Sequence, residues 1–331
     1  VSQSKSARAV LIEDNRLLWS EVPALKPEIG EVLIDNKASA VNRADLVQRQ
    51  GSYPPPPGAS EILGLECAGI VKSVGEGVTR CSVGDRVCAL LSGGGYATEV
   101  VAPAGQVLPI PKGFSFTQAA ALPEVFATAW LNLFMEARLQ SGEYVLLHAG
   151  ASGVGSAAIQ LCRAFDVQAF VTVGNQSKLE FCIQLGAVNG IDRHKGKFVE
   201  QAQAWTQGKG FDVILDPVGG NYLKDNLRSL ATDGRLVVIG LMGGATAEIP
   251  LAGMMVKRQR IIGSTLRARS IASKSMVMDS LKRNVWPLLE AGTVKPVIDK
   301  VIAIQEVEKA HSLVESNQTI GKVVLAIDGE S

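Results

Sequence analysis

The sequence predicts an α/β fold in two parts: a β-rich, barrel-like domain built from both chain ends, and a doubly wound parallel sheet between them. Three observations support this. At 331 residues the chain is too long for one ordinary core. Its first third carries short strand patterns between glycine turns, whereas from about residue 123 apolar strand runs alternate with helical stretches. The closing segment "GKVVLAI" reads as a strand that needs a sheet to complete, which returns the chain end to the first domain. The expected boundaries are 1–125 with 270–331 for the discontinuous β-rich domain, and 126–269 for the parallel-sheet domain.

Each element has its own warrant. "RAVLIEDNRLLWSEV" reads as a hairpin turning at Asp14-Asn15. "EVLIDNKASAV" alternates as a half-buried strand does, and "AGIVKSVGEGV", "GDRVCALL" and "GYATEVVAP" add short strands with turn signals, a barrel-like pattern. "FTQAAALPEVFATAWLNLFMEA" has helical spacing interrupted at Pro123. Next come "EYVLLHA" as strand and "GVGSAAIQLCRAF" as helix, then "VQAFVTVG" as strand and "QSKLEFCIQLG" as a helix ended by Gly186. "GFDVILDPVGG", "NYLKDNLRSLA", "GRLVVIGLMGG" and "QRIIGST" continue the alternation. Beyond about residue 270 the pattern gives one long helix over "KSMVMDSLKRNVWPLLEAG", a strand, a short helix and the closing strand.

Composition narrows the function. A net charge of +1 and 5% aromatic residues leave no basic, aromatic-laced stripe for nucleic acid. No stretch approaches the ~20 apolar residues of a membrane span, and "VSQSKSARAV" is no secretory signal. A cytoplasmic protein is the expectation. Five cysteines without a Cys-x-x-Cys are expected to be reduced thiols packed as small hydrophobes. His148, at the end of an apolar run, is expected to be a satisfied near-core histidine.

"LLHAGASGVGSAAIQL" places Gly150, Gly153 and Gly155 where a strand gives way to a helix. Glycines there let the backbone turn and approach a pyrophosphate, and the helix start offers free N–H groups and a positive dipole end. The spacing departs from G-x-G-x-x-G, but the strand before, the helix after and the β/α units downstream favour a dinucleotide site. The tip of the second strand decides which dinucleotide. NAD-preferring sites carry Asp or Glu there for the ribose. This chain has Gly174-Asn175, with Ser177 and Lys178 next and Arg193 after the third strand. A missing acid beside two cations favours NADPH.

"NRADLVQRQGSYPPPPGASEILGLECAG", "HAGASGVGSAAIQL", "DPVGG", "GLMGG" and "GSTLRAR" together resemble the zinc-independent quinone oxidoreductase branch of the medium-chain dehydrogenase/reductase family, over about residues 7–327. The resemblance implies a GroES-like catalytic domain, a Rossmann domain, NADPH as electron source, and a homodimer or tetramer. It also implies the absence of metal. Zinc enzymes of the superfamily carry Gly-His-Glu where this chain has Gly64-Leu65-Glu66, and Cys-x-x-Asp where it has Asn42-Arg43-Ala44-Asp45. Catalytic zinc needs three protein ligands, and two are lost here. Without a Lewis acid, reduction of an electron-poor acceptor is easier than oxidation of an alcohol. Quinones are therefore the leading acceptors and activated C=C bonds (alkenals, enones) the alternative; a non-catalytic NADPH- or nucleic-acid-binding role is the weaker third reading.

The resemblance also distributes the roles. Asn42 and Tyr53 are the catalytic candidates and, with Arg267, line the substrate pocket. Tyr53, Thr128, Ser152, Gly153, Val154, Gly155, Gly240, Leu241, Met242, Gly243, Ser264, Thr265, Leu266 and Asn317 are carried over as cofactor contacts, joining Gly174, Asn175, Ser177, Lys178 and Arg193. Arg43, Asp45 and Glu66 are expected to be framework partners.

Overall fold

The computed structural model describes residues 6–327. The chain divides into two compact units, residues 1–127 with 267–331, and residues 128–266.

The larger unit is organised by the 11-residue strand Glu31–Val41. Glu66–Val74 pairs antiparallel along one of its edges. The other edge is shared: Glu99–Pro103 takes the first half and Lys322–Ala326 the second, both antiparallel. Lys322–Ala326 in turn pairs parallel with Ile298–Ala303, so the closing segment completes this sheet as its pattern requires. Arg86–Leu90 and Val107–Pro109 extend the opposite side, giving a seven-stranded sheet. Two apolar clusters pack along it, one around Val41, Leu63, Tyr96, Val323 and Leu325, the other around Val32, Ile34, Val71 and Val100. The hairpin Ser6–Glu13/Arg16–Pro23 turns through Asp14 (φ 47°) and Asn15 (φ 61°). Two consecutive positive φ values match the twist of the paired strands, and Asp and Asn tolerate them well.

One expected element differs. In place of a single helix over 274–292, the chain forms Ile271–Asn284 and Trp286–Glu290, broken at Val285 (φ −108°, ψ −37°). Pro287 is the cause: it has no N–H for the carbonyl four residues back, and its ring crowds that carbonyl. The break turns Trp286 so that its indole N–H donates to Pro109 O at 2.8 Å. The helical stretch near 116–136 is likewise segmented, into Phe116–Ala120, Pro123–Trp130 and a wide helical turn Leu131–Glu136, with Pro123 at the second start.

The smaller unit contains a six-stranded, wholly parallel sheet. Its spatial order is Asn189–Asp192, Gln168–Val173, Tyr144–Leu147, Phe211–Asp216, Leu230–Val238, Arg260–Gly263. In chain order that is 3-2-1-4-5-6, the Rossmann arrangement, and the direction of winding reverses between Tyr144–Leu147 and Phe211–Asp216. Helices Gly153–Ala164 and Gln176–Leu185 pack on each other and on the first strands. Phe198–Trp205 and Gly220–Ser229 form a second pair, over Leu146, Phe170, Phe211, Ile214 and Leu236. Right-handed crossovers on either side of the reversal require two such layers.

Candidate active site

Ligands of open parallel sheets bind at the carboxyl ends of the strands, at the reversal point. In the smaller unit that edge collects the glycine turn and most of the expected cofactor residues. The strand Tyr144–Leu147 leads through Ala149 (φ 54°) into the helix Gly153–Ala164. Ser152 is the N-cap, its Oγ accepting from Gly155 N at 3.1 Å. Its hydroxyl is thereby engaged in starting the helix, while Gly153 and Val154 at the first turn retain N–H groups without intrahelical acceptors. A Cβ on Gly155 would meet the carbonyl oxygens of Ala149 and Gly150 at 2.5 Å, and one on Gly150 would meet Val171 at 2.7 Å. Glycine is thus required at both positions for the backbone to fold this closely.

The next strand, Gln168–Val173, ends at Gly174. Asn175 caps the following helix by accepting from Lys178 N at 2.9 Å, and Ser177 Oγ donates to the same Asn175 oxygen at 3.0 Å. Arg193 is exposed and tied by its backbone N–H to Val173 O at 3.0 Å. One of its guanidinium nitrogens lies 3.9 Å from where a Gly174 Cβ would stand. Gly174, Asn175, Ser177, Lys178 and Arg193 therefore converge at one strand end. Further along the edge, Gly240 and Gly243 press against Pro217 and Val218, approaches of 2.7 and 2.6 Å for an added Cβ, leaving Leu241 and Met242 more than half exposed. Ser264 begins the segment after the last strand, its N–H on Val238 O at 3.0 Å, followed by exposed Thr265 and buried Leu266. Thr128 opens this unit within the helix Pro123–Trp130, its carbonyl accepting from Asn132 Nδ2. His148 is buried, hydrogen-bonded to Thr172 and Asn226, and enclosed by Phe198 and Tyr222. Burial lowers its pKa to about 4, so it is a neutral core histidine, as its place in an apolar run suggests.

In the larger unit, Asn42 precedes the helix Arg43–Arg49. Its amide is fully engaged: Nδ2 donates to Glu66 Oε1 at 2.9 Å, and Oδ1 accepts from Lys322 Nζ at 2.6 Å. Lys322 Nζ also reaches Val41 O at 2.9 Å and Glu66 Oε1 at 2.8 Å, an ion pair from which water is excluded. Glu66 Oε2 accepts from the backbone N–H of Glu124 at 2.9 Å. Below this cluster, Asp45 accepts from Asn42 N, Gly64 N and the Tyr96 hydroxyl, and His311 Nε2 lies 3.2 Å from the same hydroxyl. Burial lifts the Asp45 carboxyl to about 6, with its hydrogen bonds opposing the shift. Gly64 (φ 102°) admits no side chain, because a Cβ would fall 2.6 Å from Gly95, and Leu65 is fully buried apolar packing.

Arg267 is buried. Its guanidinium donates to Ser92 O (2.8 Å), Gln48 Oε1 (2.7 Å) and Tyr53 O (3.4 Å), and lies 5.3 Å from the centre of the Tyr53 ring. It is therefore an internal clamp on the proline-rich loop and not a surface cation. Tyr53 itself is half-buried, its phenol pushed up chiefly by burial and so kept protonated. Asn317 is exposed at φ 57°, its Oδ1 accepting from Arg43 at 2.6 Å.

Lys322, Glu124 and His311 were not singled out by the sequence patterns. The available signal was a lone charge in each of two apolar stretches, "GKVVLAI" and "ALPEVFATAW". Among the described residues no group of three or more His, Cys, Asp and Glu is arranged to hold a metal, the five cysteines are free, and no helix is long and apolar enough to cross a membrane.

Residues 28–112 match the alcohol dehydrogenase GroES-like domain family, and residues 153–282 the zinc-binding dehydrogenase family. The chain is 31% identical over 312 residues to the quinone oxidoreductase of Rattus norvegicus, covering 94% of this chain and 93% of that protein. It is 34% identical over 322 residues to a synaptic vesicle membrane protein VAT-1 homolog of Danio rerio, covering 92% of this chain and 66% of that protein. Among solved structures, the Escherichia coli quinone oxidoreductase complexed with NADPH superposes with a TM-score of 0.84 at 27% identity, covering 97% and 99% of the two chains.

Proposed function

Because the chain belongs to the quinone oxidoreductase branch of the medium-chain dehydrogenase/reductase family, we propose that it is an NADPH-dependent reductase of quinones that works without a metal. The observation that carries this reading is the buried cluster around Glu66. Both of its carboxylate oxygens and both ends of the Asn42 amide are already taken by Lys322, each other and a backbone N–H. An ammonium neutralises the one carboxylate, and Leu65 adds no donor. Beside Glu66 the carboxyl oxygen Glu124 Oε2 is left without a partner, but one oxygen falls short of the three protein ligands that a catalytic zinc takes. The cluster fixes the floor of the site but does not polarise an alcohol.

The strand ends of the smaller unit fit a 2′-phosphorylated dinucleotide. The Gly150–Gly155 turn is a backbone cradle that an added Cβ would fill. At the ribose end stand a capping amide, a hydroxyl and the Arg193 guanidinium, and residues 174–178 include no Asp or Glu to repel a phosphate. The NADPH-bound relative from Escherichia coli supports the same choice. When bound, the dihydronicotinamide supplies a hydride. Asn175, Ser177, Lys178 and Arg193 select the phosphorylated ribose, Gly153 to Gly155 present N–H groups to the pyrophosphate, and Ser264 to Leu266 with Gly240 to Gly243 border the nicotinamide half. Tyr53, held by Arg267, offers a protonated phenol as hydrogen-bond donor to an acceptor oxygen. Asn42 serves through Glu66 and Lys322 as an orienting group. Thr128 and Asn317 remain cofactor contacts in this proposal, and the working protein is a homodimer.

NADPH oxidation by purified, EDTA-treated protein is the test, with ortho-quinones and alkenals as alternative acceptors. Quinone turnover that survives chelation supports the proposal. Turnover that requires added zinc removes the metal-free reading, and turnover confined to alkenals moves the substrate to activated double bonds.

A further inference from the structure

A quinone that has accepted a hydride is a hydroquinone anion and still needs a proton. The Tyr53 phenol, raised chiefly by burial, offers a hydrogen bond but holds on to its proton. Among the described residues, a group in the same buried cluster is suited to supply one. Glu124 is the second residue of the helix Pro123–Trp130, and its backbone N–H is fastened to Glu66 Oε2 at 2.9 Å. Although the residue as a whole is half-buried, its side-chain Oε2 is closed to solvent and has no hydrogen-bond partner among the described residues. An unpartnered, desolvated carboxylate oxygen is costly, and more so beside another carboxylate. The neutral acid avoids that cost, but leaves an O–H seeking an acceptor. A bound acceptor's oxygen would complete it.

From this geometry we propose that Glu124 is the proton donor of the reaction, passing its carboxyl proton to the oxyanion of the newly formed hydroquinone. The inference rests on the quinone-reductase reading. The carboxyl O–H bond breaks as the hydroquinone O–H bond forms, so the negative charge moves from the product to Glu124. Hydride plus this proton completes the two-electron, two-proton reduction, and water reprotonates Glu124 before the next turnover. The groups facing Glu124 suit both states. Glu66 and Asp45 disfavour its ionised form, while Lys322, Arg267 and Lys274 moderate the charge once formed. Burial, and next the Glu66 charge, lift its pKa to about 8. It is therefore an acid at neutral pH, yet remains stronger than a phenol at about 10, so the transfer runs downhill. The Glu124 charge adds to the rise of the Tyr53 phenol, after burial, so the two groups influence each other electrostatically.

The test uses the full chain with NADPH and a benzoquinone. Wild-type turnover is expected to fall as pH rises through about 8. Glu124→Gln is expected to lose about 10²-fold in turnover and to abolish that limb, with NADPH affinity by fluorescence unchanged. An infrared band of a protonated carboxyl should titrate away over the same pH range in the wild type and be missing from E124Q. A variant that turns over normally with an unaltered pH profile overturns the inference alone. A wild type that binds NADPH but reduces no acceptor overturns the functional reading, and this inference with it. Should E124Q fail to fold, the wild-type profile and infrared band decide: a flat rate and no such band overturn the proposal.

Discussion

Lys322 satisfies a carboxylate, an amide oxygen and a backbone carbonyl at once, in a place where water cannot substitute for it. Lys322→Met should therefore cost about 3–5 kcal/mol of stability, because Glu66 is left charged and unpaired. Combining it with Glu66→Gln should recover most of that loss in denaturant melts; strictly additive losses would show that the pair is not coupled. Arg267→Ala should unpin Tyr53 and leave buried acceptors on Ser92 and Gln48 bare, costing about 2–4 kcal/mol, whereas Tyr53→Phe keeps the clamp and should lower turnover without lowering the melting temperature. These residues also mark what the sequence conceals. Asn42 meets Glu66 across 24 residues and Lys322 across 280, and no local pattern encodes such pairings. Asn42 was legible through the family motif, but its saturation by Lys322 was not.

At the level of the element, the glycine turn was the most readable part of the chain, because strand, turn and helix are contiguous and each glycine answers a local contact. Gly155→Ala should abolish NADPH binding, since its Cβ would overlap two carbonyls, while circular dichroism stays that of an α/β protein. Ser152→Ala removes a cap and should cost about 1 kcal/mol. Lys178→Ala with Arg193→Ala should shift the preference from NADPH toward NADH, measured as a ratio of kcat/KM values; an unchanged ratio would place the phosphate elsewhere. Hydrophobic spacing runs on through Pro287 and suggests one continuous helix, but proline chemistry forbids the ladder there and the first helix ends at Asn284.

For the whole molecule, the pH dependence of stability follows from the same buried groups. His148 and His311 are both held to about 4, so unfolding takes up protons only below the ordinary histidine range, and they contribute little slope above about 6.5. Glu124 acts in the opposite sense. Its folded pKa of about 8 lies above its ordinary value of 4.5, so unfolding releases a proton between the two, and stability declines as pH rises toward 8. Melts across that upper window should show the decline in the wild type and its loss in E124Q. The unit spanning 128–266 has its own sheet and apolar core, and a fragment of that span is expected to fold and bind NADPH by itself.

The strand Lys322–Ala326 delivers the counter-ion of a carboxylate fixed by residues some 280 positions earlier. On the ribosome the parallel-sheet unit can collapse while synthesis continues, but the unit carrying Glu66 must wait with an uncompensated charge until Lys322 has been made. A nonsense change just upstream of Lys322 would thus yield a polypeptide with a sound nucleotide cradle and a reaction chamber that never closes.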